Sequence, residues 1–466
     1  MYKYSIMLLG AIYLAGCASL APTYSQPKAP LPSAWPEGDS YKSQNTGVLA
    51  TDTSWEKFIL NNKMRQVVEI GLSNNRDIKI TLANIEAARA QYRVQDAAML
   101  PTINADVTGT RGRSAVTSSN GEMSTSKVES YSASVGMTAY EIDFFGKIRS
   151  LSNAALESYL ATEEAHRTAK ISLISELLGA YQTMAADSSQ LALSRKTMSS
   201  AESSMTVIQK RLDIGVATRL ELRQAETAYQ TARADVANLI TLVAQDRNAL
   251  ELLAGTSISD DLLPAELPTN EVWFANISPS LDSSILLQRP DVLVAEHQLK
   301  SANTNIGAAR AAFFPSVKLT ASTGLASAEL AKLFTGAGVW SLIPSVTLPI
   351  FDNGTNKANL DYANAQQKLY LATYELTLQT AFKEVADVLA RNGTIKEQLD
   401  AQQHLVEAAT DSYMIANERY KKGVSTYLEA LDAQRVLYAS EKTLITVKLL
   451  EYENHRALYK VLGGGA

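Results

Sequence analysis

The side chains that could do chemistry are few, and the most informative is Cys17, the only cysteine in the 466 residues. One cysteine cannot form a disulfide within the chain, so its thiol is open to another modification. It follows Leu14-Ala15-Gly16, at the end of an apolar run that begins at Ile6 behind Lys3. Such a run is typical of a secretory signal and is too short to span a bilayer. We therefore predict that residues 1–16 are a signal peptide.

The four residues ending at Cys17 resemble the bacterial lipoprotein box, in which the cysteine is acylated and becomes the mature N-terminus. Ala18 stands where lipoproteins retained in the inner membrane typically carry aspartate. The resemblance therefore implies lipidation of Cys17 and transport to the outer membrane, with the acyl chains acting as an anchor. The alternative is a chance cleavage site beside a stray thiol, but a free thiol is a liability in an oxidising compartment.

Other reactive groups form no recognisable site. The four histidines, His166, His297, His404 and His455, are far apart, so no metal site is predicted and they are expected on solvated helix faces. The sequence has no phosphate loop, nucleophile elbow or zinc-protease helix. Its net charge of −5 lacks the basic excess of a nucleic-acid-binding protein. We expect no enzyme activity, no cofactor and no nucleic-acid partner.

The elements that carry these residues are duplicated. Gly146 and Gly354 are 208 positions apart, as are Gly215 and Gly423, whereas Pro101 and Pro315 are 214 apart. The six-residue difference places an insertion between Pro101 and Gly146. The predicted organisation is an extended, proline-rich N-terminal segment at 17–60, a first repeat at 61–255, a linker at 256–288 and a second repeat at 289–463.

The sequence pattern within each repeat predicts a pair of strands. Apolar and polar residues alternate from Ile103 and again from Tyr131, which is the period of a strand. The polar stretch from Ser114 to Ser130 is predicted to be an exposed loop. Pro344 and Pro349 weaken the last strand, because proline removes a ladder donor. The predicted strands are 102–113, 130–143, 316–325 and 339–351.

Long helices follow the strands. The first is predicted at 146–213 and would be about 100 Å long at 1.5 Å per residue. After a reversal, a second helix with a coiled-coil seam is predicted at 218–254. The second copy is predicted at 354–421 and 426–462, with local slack at Gly393. Gly215 and Gly423 mark the reversals, because glycine tolerates the left-handed backbone of such turns.

Four strands of about ten residues have the length of outer-membrane strands but cannot close a barrel. Open edges are forbidden in lipid, and the smallest barrels have about eight strands. At least three copies are therefore needed, and a twelve-stranded trimer is the simplest solution. No long apolar segment follows the signal, so the long helices are predicted to stand in the periplasm.

Six stretches of the sequence, taken with the duplication, resemble the TolC-type outer-membrane efflux family, lipoprotein branch. They are Tyr140 to Gly146, Arg211 to Val216, Arg289 to Asp291, Ala309 to Pro315, Pro349 to Gly354 and Leu431 to Arg435. The resemblance implies an α+β membrane protein that forms a homotrimer. Twelve strands, four per chain, would make a transmembrane β-barrel, continued by a periplasmic α-helical barrel with a belt that includes residues 256–288.

The resemblance also implies a function and a site. The function is the exit duct of a tripartite efflux pump, working with a periplasmic adaptor and an inner-membrane RND-type transporter. The adaptor would dock at the helix tips. Leu428 would form an apolar ring at a gated aperture and Asp432, with Glu429, an acidic one. The remaining candidates are Glu221 and Arg435 for the aperture and Gly215, Val216, Gly423 and Val424 for the tips.

Alternatives remain at this stage. Acidic residues in a first helical turn are favoured by the helix dipole, by about 0.3 to 1 kcal/mol, whether or not they line an aperture. The duct could instead serve a type I protein-secretion system. A non-conducting coiled-coil lipoprotein is a further alternative, although such a spacer has no use for strands of membrane length. The sequence does not distinguish drugs, metals and peptides as cargo.

Overall fold

The computed structural model describes residues 19–41, 48–49, 53–117, 121, 123–268, 271–278 and 282–464. Cys17 and the predicted signal peptide lie outside these residues, and lipidation therefore stays a prediction. The helices are α1 (Trp55–Phe58), α2 (Asn62–Asn74), α3 (Arg76–Ala97), α4 (Lys147–Asp213), α5 (Arg219–Ala254), α6 (Pro290–Ala311), α7 (Thr355–Asn392), α8 (Ile395–Lys421) and α9 (Tyr427–Val461). The strands are β1 (Val48–Leu49), β2 (Ile103–Thr117), β3 (Met123–Ile142), β4 (Ile277–Ser278), β5 (Ser316–Ser327) and β6 (Ala337–Thr347).

The chain forms two compact units, each assembled from several segments. Of the described residues, the first contains those up to Lys28 and those within Ile85–Thr162 and Ala295–Tyr374. Its centre is an antiparallel sheet in the order β2-β3-β5-β6, so the two strand pairs of the duplication lie side by side. The strands β2 and β6 are the two edges of this sheet.

The first strand pair is longer than its sequence predicts. β2 and β3 stay in register from the pair Ile103 and Met137 to the pair Thr117 and Met123. The predicted loop from Ser114 to Ser130 is therefore wrong over most of its length. Its serines and threonines obscure the alternation, but their backbone groups pair across the hairpin and threonine is well suited to strands.

The second strand pair lies close to its predicted position. β5 and β6 cover Ser316–Ser327 and Ala337–Thr347, where 316–325 and 339–351 were predicted. Pro349 lies outside β6, whereas Pro344 lies within it, opposite Leu319. An edge strand can accept proline where its missing N–H is not needed.

The second unit contains Ala29–Asn84, Glu163–Val294 and Glu375–Ala466. Its core includes a stack of aromatic rings in which Phe58 lies 4.9 Å from Phe274 and 4.2 Å from Tyr459. These residues come from the N-terminal segment, the linker between the repeats and the last helix. β1 and β4 pair in parallel in the same unit. Segments distant in sequence are thus joined by packing of aromatic side chains.

The long helix differs between the two repeats. α4 runs unbroken through 67 residues, but the helix predicted at 354–421 is interrupted between Asn392 and Ile395. The prediction of one continuous helix is wrong there. Gly393 is a poor helix former, and Thr394 bonds to the carbonyl of Arg391 at 3.1 Å in a tightened turn. No helix within the described ranges has both the length and the apolar character to cross a bilayer.

Candidate functional site

The four-stranded sheet has two chemically different faces. The register places Ile103, Val107 and Val135 on one face, together with Trp340 and Leu342 from β6. Val107 is 74% exposed and Trp340 is 79% exposed in the single chain. Apolar side chains this exposed require a lipid or protein partner.

The opposite face carries small polar residues. The Thr108 and Ser132 hydroxyls are hydrogen-bonded at 2.7 Å across β2 and β3, and those of Ser322 and Ser341 at 3.0 Å across β5 and β6. Alternation of an apolar and a polar face is the pattern of a membrane strand with one side in lipid and the other toward water.

The two helix reversals have closely similar backbone geometry. Gly215 has a φ of 77° and Gly423 a φ of 74°, both in the left-handed region. Val216 N–H bonds to the Arg211 carbonyl at 2.8 Å, and Val424 N–H bonds to the Arg419 carbonyl at 2.9 Å. These are the bonds of a Schellman motif, which satisfies the last carbonyls of a helix. Both valines are mostly exposed, so each tip carries an apolar side chain on its surface.

A small core lies behind the tips in the second unit. Ile208, Ala225, Tyr420, Tyr427 and Leu431 are buried together. The guanidinium of Arg211 lies 5.0 Å from the centre of the Tyr420 ring, and the rings of Tyr420 and Tyr427 are 5.3 Å apart. Burial raises the pKa of Tyr427 to about 12. Sequence reasoning assigned a role to neither tyrosine, although each flanks the Gly423 turn within four residues.

Three aperture candidates share one face of α9. Leu428, Asp432 and Arg435 are spaced by four and three residues, and all three are exposed. Arg435 Nη1 lies 3.3 Å from Asp432 Oδ1, so the arginine partly neutralises the carboxylate. Glu429 is exposed one position along the same turn. The buried Leu431 holds the opposite side of the helix against the core.

Glu221, the remaining acidic candidate, differs from these residues because its carboxylate is already hydrogen-bonded at the start of α5. Its carboxylate accepts the Thr218 backbone N–H at 2.7 Å, and the Thr218 hydroxyl accepts the Glu221 N–H at 3.2 Å. This is a capping box, which satisfies two free donors at the start of α5. The spacing from Thr218 to Glu221 was a signal for this role in the sequence.

The histidines do not all lie on solvated helix faces, and that prediction is wrong for three of them. His166, His297 and His455 are half-buried, whereas His404 is exposed. His166 is hydrogen-bonded to the Thr81 hydroxyl at 2.8 Å, and His297 to Glu157 at 2.7 Å. Burial lowers the pKa of His455. The described residues include no cluster of three or more side chains able to hold a metal ion.

A carboxyl pair that sequence reasoning did not identify lies between α4 and α5. Asp246, which interrupts the apolar seam of α5, is adjacent to Asp187, and its Oδ2 is buried without a hydrogen-bond partner among the described residues. Burial, together with the charge of Asp187, raises the pKa of Asp246 from 3.8 to about 6. Burial also raises the pKa of Asp187. The break in the apolar seam at Asp246 was the sequence feature that could have indicated this pair.

This pair predicts a pH-dependent stability. The folded chain holds a proton on Asp246 that the unfolded chain releases above its pKa of 3.8, so the stabilisation is complete below that pH. It is lost as the pH rises through about 6. Asp246→Asn should flatten this part of the pH profile and be more stable than wild type at about pH 8. Thermal unfolding followed by circular dichroism in detergent measures the effect.

The exposed Asp411→Asn on α8 is the matched control and should keep the wild-type profile. An unchanged pH profile in Asp246→Asn would show that the pair does not titrate in this range.

A sheet with one apolar face, joined to paired helices that reverse at glycine tips, defines a class of protein, the outer-membrane channels. The family model of the outer membrane efflux proteins matches residues 67–256 and 281–464. This chain belongs to that family. It is the outer-membrane exit duct of an efflux pump in a Gram-negative bacterium and extends into the periplasm. The family consists of ducts, not enzymes, and works with an adaptor and an inner-membrane transporter.

Individual outer-membrane efflux proteins are also similar to this chain over nearly its full length. The chain is 42% identical to the toluene efflux pump outer membrane protein TtgC of Pseudomonas putida, over 98% of this chain and 94% of that protein. It is also 42% identical, over the same shares, to the antibiotic efflux pump outer membrane protein ArpC of that species. The open-state structure of the MtrE outer membrane channel of Neisseria gonorrhoeae matches with a TM-score of 0.86 and 36% identity, covering 96% of this chain and 98% of that one.

Proposed function

We propose that three copies of this chain close a twelve-stranded barrel in the outer membrane, through which cargo leaves the cell passively. The observation that carries the proposal is the sheet, which has one apolar face and two edge strands, β2 and β6, free to pair. Lipid tolerates no open edge, so neighbouring copies must pair β2 with β6. A trimer of four-stranded sheets is the smallest closed assembly that leaves a lumen.

The N-terminal segment supports lipid anchorage through Cys17. The Pro22 carbonyl accepts a hydrogen bond from Asn303 Nδ2 at 2.8 Å, and the Leu20 carbonyl accepts one from Arg310 at 3.2 Å. Gly307 provides the space, since a Cβ there would lie 2.7 Å from Ala21. Three residues separate Leu20 from Cys17 and reach at most about 10 Å, so these contacts support an anchor close to the C-terminal end of α6.

The α9 face provides the proposed aperture. Around a threefold axis, Leu428 would form an apolar ring and Asp432 an acidic ring, each carboxylate moderated by its own Arg435. Charged rings of this kind select among ions in channels. The exposed valines at both tips are the proposed adaptor contacts. A non-conducting spacer would not use the apolar face of the sheet.

The cargo follows from the relatives and from the polar face. The relatives are named for toluene and antibiotic efflux, and we propose small drug-like and solvent molecules as cargo here too. The polar face is rich in serine, threonine and glycine, which carry no charge. They would offer weak contacts that let molecules pass without holding them.

A pair of adjacent cysteine variants tests the placement of the sheet. Val107→Cys lies on the apolar face and Thr108→Cys on the polar face, and the natural Cys17 thiol is expected to be consumed by acylation. In whole cells, a membrane-impermeant maleimide should label Thr108→Cys strongly and Val107→Cys weakly, because lipid excludes the charged reagent. Unmodified protein is the control and should remain unlabelled. Equal labelling of both variants would contradict the proposed barrel.

A further inference from the structure

The apolar face of the sheet ends in charge toward the β2–β3 turn. Beyond Val107 and Gly109, the next residues of β2 on that face are Arg111 and Arg113. Their partners on β3 are Glu129 and Lys127. Both arginines and Lys127 are exposed. We refer to Arg111, Arg113 and Lys127 as the rim cations.

The length of β2 places the rim cations at a boundary. Arg111 and Arg113 are the ninth and eleventh residues of a strand that starts at Ile103. A tilted strand needs about 9 to 11 residues to cross the hydrocarbon layer. Given that β2 starts at the periplasmic side, the rim cations reach the outer leaflet at the level of the lipid headgroups. Arg111 and Arg113 follow Val107 at even spacing, and Lys127 pairs with Arg113, so all three lie on the apolar face of the sheet and not on the polar face.

The charges of the rim are not balanced within the described chain. Arg111 Nε lies 2.9 Å from Glu129 Oε1, which accounts for one positive charge. Arg113 stands directly opposite Lys127, and neither makes an ion pair with any residue the structure describes. Like charges at directly opposite positions destabilise a strand pair. An external anion would remove this repulsion.

We propose that the rim cations bind the phosphate groups of the lipid in the outer leaflet of the outer membrane. The inference rests on the proposed placement of the sheet in the bilayer. Arg113 presents its guanidinium fork to phosphate oxygens, and Lys127 adds a compact positive charge beside it. Arg111, whose Nε lies 2.9 Å from Glu129 Oε1, adds a third positive charge at the same rim. The apolar residues below hold the acyl chains against the same strands.

A phosphorylated lipid fits these observations better than a soluble anion. The cations lie on the face that continues the apolar band, so one amphipathic molecule can satisfy both parts. Cations near an anionic lipid surface strengthen binding by about fivefold each. Removing all three should weaken binding on the order of a hundredfold.

The test uses full-length protein purified in detergent and titrated with bisphosphorylated lipid A, with binding followed by native mass spectrometry. Replacing Arg111, Arg113 and Lys127 with glutamine should weaken binding on the order of a hundredfold. Wild type should bind dephosphorylated lipid A as weakly as the triple variant binds the bisphosphorylated form. The control replaces three exposed lysines of α7 and α8 with glutamine, Lys357, Lys383 and Lys421, and should bind like wild type.

Several outcomes would overturn the proposal. These are equal binding by the triple variant, equal binding of dephosphorylated lipid, and displacement of the lipid by equimolar inorganic phosphate, which would indicate a free-anion site. Loss of trimer stability without loss of lipid binding would instead assign the cations to a neighbouring copy. Arg113→Gln alone, with a smaller loss, keeps the test valid if the triple variant does not fold. The Val107 and Thr108 labelling, repeated in these variants, shows separately whether the sheet is in the membrane.

Discussion

Replacing Leu428 and Asp432 together with alanine should raise the single-channel conductance of the reconstituted protein several-fold and reduce its preference for cations. Both side chains lie on the exposed face of the first turns of α9, and Leu428 is 46% exposed. Neither is needed for the core, which contains Leu431 on the opposite side. In the proposed aperture, removal of the Leu428 ring would widen the narrowest point, and removal of the Asp432 carboxylates would reduce the attraction for cations.

The control for this variant exists in the first repeat. Leu220 and Asp213 are the same residue types beside the Gly215 tip, and both are exposed. The variant Leu220→Ala with Asp213→Ala should keep the wild-type conductance. Unchanged conductance and ion selectivity in the Leu428 and Asp432 variant would remove these residues from the aperture. Equal changes in both variants would point to general loosening of the tips.

Glu221 is expected to behave differently from Asp432. Because its carboxylate caps α5, Glu221→Ala should cost about 1 kcal/mol of stability. We expect little change in conductance from it.

Replacing Arg289 with methionine should lower the free energy of unfolding by about 2 to 3 kcal/mol. The Arg289 side chain is only 9% exposed. Its guanidinium donates to Asp291 at 2.6 Å, Glu384 at 2.9 Å and the Val461 carbonyl at 2.7 Å. It therefore connects the start of α6 to α7 and to the last turn of α9.

The expected loss of stability depends on the two carboxylates that the substitution leaves without the Arg289 guanidinium. Breaking a fully buried ion pair costs about 3 to 5 kcal/mol. The carboxylates of Asp291 and Glu384 are 33% and 43% exposed, so water recovers part of their solvation. Unfolding in denaturant, followed by circular dichroism, measures the loss.

The control for Arg289 lies one residue from Glu384. Lys383→Met removes the same charge from an exposed pair with Asp387 and should cost less than about 1 kcal/mol. Equal losses in the two variants would show that the buried contacts of Arg289 contribute nothing beyond its charge.

Much of the fold could be predicted because its signals are local. Alternation from Ile103 predicts a strand, since side chains on a strand alternate between its faces. The glycines at 215 and 423 predict the reversals, because few other residues adopt a positive φ without strain. Their repetition 208 positions apart strengthened each prediction. The match to the outer membrane efflux proteins confirms the predicted family and the predicted exit duct.

Other features could not be predicted, because they depend on partners far away in sequence. The polar stretch from Ser114 to Thr117 is strand only because Met123 to Ser126 pairs with it. Arg289 and Val461 are 172 residues apart, yet the Arg289 guanidinium donates a hydrogen bond to the Val461 carbonyl in the last turn of α9. Asp187 and Asp246 belong to different helices, and neither sequence neighbourhood shows the other. The role of Glu221 was visible locally but competed with the dipole explanation for any acid in a first turn.

The sequence by itself determined the duplication, the strand periods and the helix tips, and it predicts an export signal. Backbone preference and side-chain periodicity act over a few residues, so they can be read along the chain. The tertiary structure alone decided which strands are neighbours, which charges are buried and which side chains remain exposed. Those properties arise when surfaces from distant segments exclude water from one another, and no single segment contains that information.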